Sequence, residues 1–283
     1  MPILRVVSYN IHKGRSATGG RESLADLRLG LYGLRPDLLF LQEVQGRNQI
    51  HGSLDAQHES LAAALHLNAV YGCNAVRAQT DHGNALLSRY PIVFHENQDI
   101  SDHRLEQRGL LHSVVQVGDV QIHCMVVHLG LLAGGRTRQV RALAERIRRL
   151  VPDQEPLLIA GDFNDWTNRL APLFVEQLGL SEVFALAPQG VDEIYRLRRT
   201  VARLRERLSW LPGQPRVMVP ALGVNGQARL TPPPRTFPSV FPWLRLDRIY
   251  QRGFAVRRAR VLHGAPWKRL SDHAPLVTEL ELP

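Results

Sequence analysis

Polar residues follow, or lie within, many of the apolar runs of this 283-residue sequence. They are carboxylates, asparagines and histidines: Asn10, Glu43, His128, Asp162, Asn164, Asp247, Asp272 and His273. Any one of them alone is equally well explained as a turn or helix-capping residue. Because apolar runs of this kind form core strands whose ends meet at one edge of a sheet, the whole set predicts a shared site.

The mixture of side chains indicates chemistry at a phosphate group. Four of the residues offer hard carboxylate oxygens, and neither Cys73 nor Cys124 lies in a Cys/His cluster. Mg²⁺ is therefore favoured over zinc, with Mn²⁺ as the other option. Histidines and asparagines beside carboxylates can donate to phosphate oxygens and orient a water molecule. A nucleophilic serine fits less well, because the sequence has no G-x-S-x-G elbow, and it also lacks a P-loop and a G-x-G-x-x-G motif.

Alternating strand and helix patterns predict the elements that position these residues. Strand-like apolar runs lie at 3–8, 37–43, 85–88, 111–117, 121–128, 156–160, 244–250, 254–261 and 276–280. Helical spacing of apolar residues lies at 23–34, 58–65 and 136–150. The pattern predicts an α/β fold, but it does not decide between one sheet and two.

Short motifs around the polar residues resemble, in the same order, those of the endonuclease/exonuclease/phosphatase (deoxyribonuclease I-like) superfamily. They are Ser-Tyr-Asn at 8–10, Leu-Gln-Glu-Val at 41–44, His-Leu at 128–129, Gly-Asp-Phe-Asn at 161–164, Leu-Asp-Arg-Ile at 246–249 and Ser-Asp-His at 271–273. Asn-Ile-His-Lys-Gly at 10–14 is similar to a small bacterial branch. The resemblance implies a four-layer α/β sandwich, with two mixed β-sheets face to face and helices outside.

The resemblance also implies a role for each residue of the metal side. Glu43 is expected to be the principal ligand of Mg²⁺ or Mn²⁺, with Asn10 beside it and Asp272 near the metal.

Five further residues are expected, from the same resemblance, to be catalytic. Asp162 resembles the carboxylate that orients or deprotonates the attacking water, and Asn164 the amide that holds a phosphate oxygen. His273, oriented by Asp247, would form the second acid/base or charge-stabilising pair. His128 resembles the other histidine on the phosphate side.

Residues outside this set are candidates for binding phosphate or substrate. Arg108 precedes a strand and matches a family arginine that supports the site; an exposed edge-strand arginine explains it equally well. His12, Lys13, His82 and Asn84 are expected on loops near the site. Their alternative is turn and capping chemistry, which is favoured for Asn84.

The positive charge of the chain is local. Its 35 Lys+Arg and 26 Asp+Glu give a net charge of +9. Residues 189–269 carry a net +13 and the remaining residues a net −4. A local basic field favours partners that carry phosphate, either nucleic acid or an anionic membrane surface.

Much of this charge lies in a segment that differs from the rest of the chain. Residues 191–211 have a basic amphipathic helical pattern, and a proline-rich stretch follows. Candidate catalytic residues lie on both sides, so we expect a single domain, 1–283, with an insertion at about 188–238. The helix could lie on an anionic membrane, or its apolar stripe could dock on its own domain.

These observations leave three functional hypotheses. The favoured one is a divalent-metal-dependent phosphodiesterase of nuclease type, with nucleic acid as substrate. The second is a phosphodiesterase or phosphatase acting on phospholipid head groups at an anionic membrane, with peripheral contact through 191–211. The third is a non-catalytic phosphate-binding module, which would require catalytic positions to be lost. No run is long enough to span a membrane, and we expect a cytoplasmic protein.

Overall fold

The computed structural model describes residues 2–103, 106–187 and 232–282. The strands are β1 (Ile3–Asn10), β2 (Leu38–Val44), β3 (Asn68–Val76), β4 (Asp81–Ser88), β5 (Ile92–Asp99), β6 (Gly109–Val117), β7 (Val120–His128), β8 (Leu157–Asp162), β9 (Ser181–Glu182), β10 (Asp247–Arg252), β11 (Ala255–Val261) and β12 (Leu276–Glu281). The helices are α1 (Leu24–Leu34), α2 (Gln57–Leu65), α3 (Ala133–Leu150), α4 (Val183–Leu186) and α5 (Trp267–Leu270).

The strands of the described residues form two six-stranded sheets. The first has the order β11-β12-β1-β2-β4-β3 and the second β5-β6-β7-β8-β10-β9. Only β1–β2 and β7–β8 pair in parallel among the described strands, and the other neighbours are antiparallel. Both sheets are therefore mixed, as the resemblance implies.

Alternation along the central strands explains their continuous apolar runs. In β2, Leu38 and Phe40 pack in the core shared by the two sheets, where they join residues of β7 and β8. Leu39 and Leu41 point the other way, into a cluster with α1 and α2. A strand covered on both faces needs apolar residues at every position.

The second sheet has its own helical cover. Val140, Leu143 and Ile147 of α3, spaced as one face of a helix, pack with Leu157 and Ile159 of β8. The molecule thus has four layers, helix–sheet–sheet–helix, and the predicted sandwich is confirmed.

Two features of the described chain differ from the expectations drawn from sequence. Strands β3 and β5 and the two-residue β9 have no counterpart among the predicted runs. Strand β4 begins at Asp81, so His82 and Asn84 lie within a strand and not on a loop.

Of the predicted insertion at 188–238, only 232–238 belong to the described residues, and the predicted helix at 191–211 lies outside them. Within the described chain, no helix is both long and apolar enough to cross a membrane.

Candidate active site

The carboxyl ends of the two parallel strand pairs meet at one edge of the sandwich. Asn10 ends β1 and is in register with Gln42 of β2, while His128 ends β7 and is in register with Asp162 of β8. Antiparallel pairing then places Asp247, the first residue of β10, opposite Asp162. Strand register alone therefore brings together groups that lie far apart along the chain.

Asp162 lies at the centre of this cluster and is only 2% exposed. Its Oδ2 is 3.3 Å from Nδ2 of Asn10, which donates to it. Nε2 of His128 and Nε2 of His273 lie 3.5 and 3.6 Å from the same oxygen. Its Oδ1 accepts the backbone N–H of Asn164 at 3.0 Å. One buried carboxylate is thus contacted from both sheets.

The Gly-Asp-Phe-Asn motif has a local structural cause. A Cβ on Gly161 would lie 1.9 Å from the carbonyl oxygen of Val127, so only glycine lets β8 approach β7 at this point. Asn164 has a φ of 49°, a left-handed conformation that asparagine tolerates. Its Nδ2 donates to the carbonyl of Leu129 at 2.9 Å, which fixes the turn below Asp162.

His273 and Asp247 form a buried pair beside Asp162. Nδ1 of His273 lies 2.9 Å from Oδ2 of Asp247, and the ring of Phe237 packs 5.0 Å from the imidazole. Burial disfavours the imidazolium, but Asp247 and Asp162 outweigh it and raise the pKa of His273 to about 10. Near neutral pH this side chain is therefore a cation that can donate from Nε2.

The pKa of Asp162 is also shifted. Burial raises the pKa of Asp162 to about 6. The charge of His273 opposes this rise, and the charge of Asp247 adds to it. A carboxylate whose pKa lies near neutrality can take a proton from water, which suits a general base.

The second carboxylate of the cluster faces a more open space. Glu43 has a φ of 53° within β2, where the β2–β4 pairing is irregular, and Nζ of Lys13 lies 3.1 Å from its Oε2. That oxygen is buried and accepts no well-aligned hydrogen bond from the described residues. Although burial opposes ionisation, the pKa of Glu43 is lowered, and the Lys13 ammonium beside it is a cause that acts at neutral pH. Glu43 is thus an anion, and the cation beside its buried Oε2 is Lys13.

Asp272 completes the acidic side of the site. Its Oδ1 lies 3.7 Å from Nδ1 of His12 and 3.3 Å from Oγ of Ser271. His12 and Lys13 both have left-handed backbone conformations, and the backbone N–H of His12 donates to Oδ1 of Asn10 at 3.1 Å. The predicted residues at 10–13 therefore reach the carboxylates of both Glu43 and Asp272.

These donors fit a hard divalent cation. Carboxylate oxygens of Glu43 and Asp272 and the amide of Asn10 are the ligand types that Mg²⁺ and Mn²⁺ prefer. Asp162, Asp247 and His273 also offer ligand atoms within 4.8 Å of one another. His273 is an imidazolium in that trio, so it is better placed to hold a proton than to ligate a metal.

The remaining predicted residues occupy different positions. His128 is neutral, since burial and then Arg108 hold its pKa well below the usual value. Arg108 donates from Nη2 to Glu106 at 3.0 Å and from Nε to the carbonyl of Leu129 at 3.3 Å.

Asn84, predicted to bind substrate, is fully buried in β4, and its Nδ2 donates across to the carbonyls of Gly109 and Val126 in the second sheet. Its amide N–H groups are therefore engaged between the sheets.

Sequence reasoning did not identify the residue that joins the two ends of the cluster. Ser271 donates from Oγ to the carbonyl of Asn10 at 2.7 Å and accepts the N–H of His273 at 3.3 Å. It thereby fixes β1 to the segment carrying Asp272 and His273. Its position inside Ser-Asp-His was the available signal.

The fold and this cluster together define the class of protein. A model of the Endonuclease/Exonuclease/phosphatase family matches residues 7–273, and the chain belongs to that family.

Individual relatives agree with this assignment. The chain is 37% identical over 286 residues to "Uncharacterized protein YbhP" of Escherichia coli strain K12, covering 98% of this chain and 96% of the relative. Its fold is similar to that of an endonuclease/exonuclease/phosphatase from Beutenbergia cavernae, with a TM-score of 0.71, 18% identity, and 100% and 72% of the two chains covered. It is also similar to D. rerio TDP2 complexed with single strand DNA product, with a TM-score of 0.63, 17% identity, and 99% and 100% covered.

Proposed function

We propose that this protein is a divalent-metal-dependent phosphodiesterase that hydrolyses a phosphate ester with an activated water molecule. The observation that carries the proposal is the buried carboxylate of Asp162, contacted by two imidazoles and an amide at the strand ends. A purely structural carboxylate needs only enough donors to offset its burial. Here its pKa is raised to about 6, which suits proton transfer near neutral pH.

Each side chain has a chemical role in this proposal. Asp162 orients the attacking water and accepts its proton. The imidazolium of His273, held by Asp247, stabilises the charge that develops on the phosphate. Neutral His128 and the second N–H of Asn164 donate hydrogen bonds to phosphate oxygens.

The metal would occupy the more open side of the cluster. Glu43, Asn10 and Asp272 would hold the divalent cation, whose chemistry there would be to polarise a phosphate oxygen. Lys13 is the cation beside Glu43 in this structure, at 3.1 Å, and would shift toward the substrate phosphate.

Hydrolysis of bis-p-nitrophenyl phosphate tests the reaction class. We expect turnover with Mg²⁺ or Mn²⁺, loss of turnover with a chelator, and loss in Asp162→Asn. Asp26→Asn is the matched control, because Asp26 is half exposed and pairs with Arg21 on the surface. No metal-dependent turnover, or equal turnover in wild type and Asp162→Asn, would overturn the proposal.

The favoured substrate is nucleic acid. The net +13 of residues 189–269 supports a polyanionic partner, and binding to such a partner should weaken steeply with salt. The fold relative TDP2 was crystallised with a single strand DNA product, which supports the same class.

One observation favours the second candidate, phospholipid. Val240, Phe241 and Trp243 are 63%, 78% and 57% exposed. They lie on the loop that follows Phe237, whose ring packs against His273. Exposed aromatic residues beside basic residues are typical of surfaces that enter a membrane interface. The same rings could stack on unpaired bases, so the loop by itself does not exclude nucleic acid.

A panel of substrates separates the two candidates. It comprises plasmid DNA, a duplex with an abasic site, RNA, a single-stranded oligonucleotide, and liposomes containing phosphatidylglycerol. We expect hydrolysis of a nucleic acid and no lipid product. A Phe241→Ser/Trp243→Ser variant is compared with Leu29→Ser, which removes an exposed apolar residue from α1. Lipid hydrolysis that the loop variant abolishes, without any cleavage of nucleic acid, would instead support the second candidate.

A further inference from the structure

A cleft of about 410 Å³ opens next to the candidate active site. Basic and amide side chains form much of its wall: Arg77, His82, His103, Gln107 and Arg108. Of these, only His82 and Arg108 belong to the residues singled out in the sequence. Arg77, His103 and Gln107 have no role in the reaction described above.

The cleft is continuous with the catalytic cluster. Nε of Arg108 donates to the carbonyl of Leu129 at 3.3 Å, and the same carbonyl accepts from Nδ2 of Asn164 in the cluster at 2.9 Å. His82 lies in β4 and pairs with Ala75 of β3, whereas Arg108 directly precedes β6. The cleft therefore spans the seam between the two sheets, on the side of Glu43 and His128.

The charges of the cleft leave one arginine available. Glu106 is the acidic residue in its wall, and it accepts from Nη2 of Arg108 at 3.0 Å and from the backbone N–H of Leu131 at 3.0 Å. Its carboxylate is thus already paired. Arg77 is exposed, and its one side-chain hydrogen bond within the described chain is a long one of 3.5 Å to Oε1 of Gln107.

This arrangement suits a phosphate monoanion or dianion. A guanidinium can bind two phosphate oxygens at once, and the amide of Gln107 and the imidazole of His103 offer further donors. Leu131 and Leu132 line the same cleft and are 58% and 61% exposed, which provides an apolar wall for a sugar or base.

We propose that this cleft binds a second phosphate of the substrate, the one that flanks the scissile phosphodiester in a nucleic-acid strand. The proposal rests on the proposed function, because it places the scissile phosphate at Asp162. Arg77 is the principal residue for the flanking phosphate, and His103 and Gln107 assist it.

Thymidine dinucleotides test this proposal: TpT, and the same compound with a phosphate at its 5′ or its 3′ end. We expect one of the two terminal phosphates to raise kcat/KM about tenfold over TpT, mainly through KM. That ratio should fall to about one in Arg77→Ala. It should persist in Arg141→Ala, which removes an exposed arginine from α3 on the far side of the second sheet.

Further measurements keep the two proposals distinguishable. The wild-type protein could turn over bis-p-nitrophenyl phosphate but show no preference for either phosphorylated dinucleotide. That result would contradict the proposed phosphate site in the cleft and leave the proposed function standing. If no substrate is turned over, the affinities of the same three dinucleotides are measured by calorimetry. Equal affinity for all three, or equal affinities in wild type and Arg77→Ala, would contradict the proposed phosphate site. Inorganic phosphate added with TpT is the last probe, and if it reproduces the gain, the cleft binds a free anion and the proposal is wrong.

Discussion

In each sheet a parallel pair, β1–β2 in the first and β7–β8 in the second, has two antiparallel strands on either side. Equivalent strand positions therefore carry site residues from both sheets. Asn10 and His128 end the first strands of the two pairs, and Glu43 and Asp162 lie near the ends of the second strands. No sequence repeat accompanies this likeness.

The same framework supports different chemistry in the two sheets. The side chains of Asp162 and Asp247, from the second sheet, are 3% and 2% exposed and both lie beside the imidazole of His273, at 3.6 and 2.9 Å. Those of Glu43 and Asp272, on the first sheet's side, are 19% and 24% exposed and lie beside Lys13 and His12. Burial thus separates a side suited to holding a proton from a side suited to holding a cation.

The largest expected effect tests that separation directly. Asp162→Asn should lower kcat for bis-p-nitrophenyl phosphate by about 10²- to 10⁴-fold, because a positioned base contributes roughly that much, and added metal should not restore it. Glu43→Gln should instead raise the metal concentration needed for half-maximal rate by at least about tenfold.

The measurement is a rate titration with Mn²⁺ for each variant. Glu59→Gln, an exposed change on α2, is the control for Glu43→Gln. If both site variants respond to added metal in the same way, the proposed division between the sheets is wrong.

A smaller effect concerns Asn84, whose place in β4 corresponds to that of Asp247 in β10. Because its amide bridges the sheets, Asn84→Ala should reduce the free energy of unfolding by about 1–3 kcal/mol. Its kcat/KM should remain within about threefold of wild type after correction for the folded fraction. Urea denaturation and steady-state kinetics check both quantities, and a large rise in KM without loss of stability would restore Asn84 to the substrate site.

The outer faces of the sheets also differ. Where α1 covers the first sheet with apolar residues, α3 buries Arg146 against the second. Nε of Arg146 donates to Nδ1 of His112 at 3.1 Å, and Nε2 of His112 lies 2.9 Å from Nδ1 of His123. Burial, then Arg146 and His123, lower the pKa of His112 to about 3.

This shift makes the stability of the second sheet pH-dependent. The unfolded chain protonates His112 below about pH 6.5, whereas the folded chain resists protonation down to about pH 3. The stabilisation is therefore complete above pH 6.5 and is lost as the pH falls through that window. In His112→Gln an uncharged amide replaces the imidazole and can still bond Arg146 and His123. Between pH 7 and pH 5 the free energy of unfolding of this variant should fall by about 1–2 kcal/mol less than that of wild type.

Chemical denaturation across this pH range is the measurement. His95→Gln, an exposed change on the neighbouring strand β5, is the control. Parallel pH profiles for wild type and His112→Gln would contradict the assignment.

The differences between regions also decide what the sequence could predict. Strands β2, β7 and β8 are covered on both faces, so their continuous apolar runs are visible. Strand β5 is an edge strand with intermediate to exposed side chains throughout, including His95 and Glu96, and it leaves no such run. A pattern set by local burial finds the central strands but misses an exposed edge strand such as β5, whereas the edge strand β11 kept enough apolar residues to be predicted.

Site residues follow a similar rule. Those in short motifs at strand ends, such as Asp162 and His273, were predicted, because motif and strand coincide. The inter-sheet hydrogen bonds of Asn84 and the cleft around Arg77 depend on how two sheets face each other, which neither spacing nor periodicity encodes. One sheet and two sheets give the same local patterns.

Residues 236–239 lie directly against the catalytic cluster. The N–H of Ser239 donates to the carbonyl of Asp272, and the N–H of Ala274 donates to the carbonyl of Thr236. On the other side of residues 188–231 in sequence, β9 pairs with β10 and is followed by α4, which ends at Leu186. Both flanks of residues 188–231 are held by the sandwich, so a change in the length or charge of that segment need not displace the side chains of the cluster.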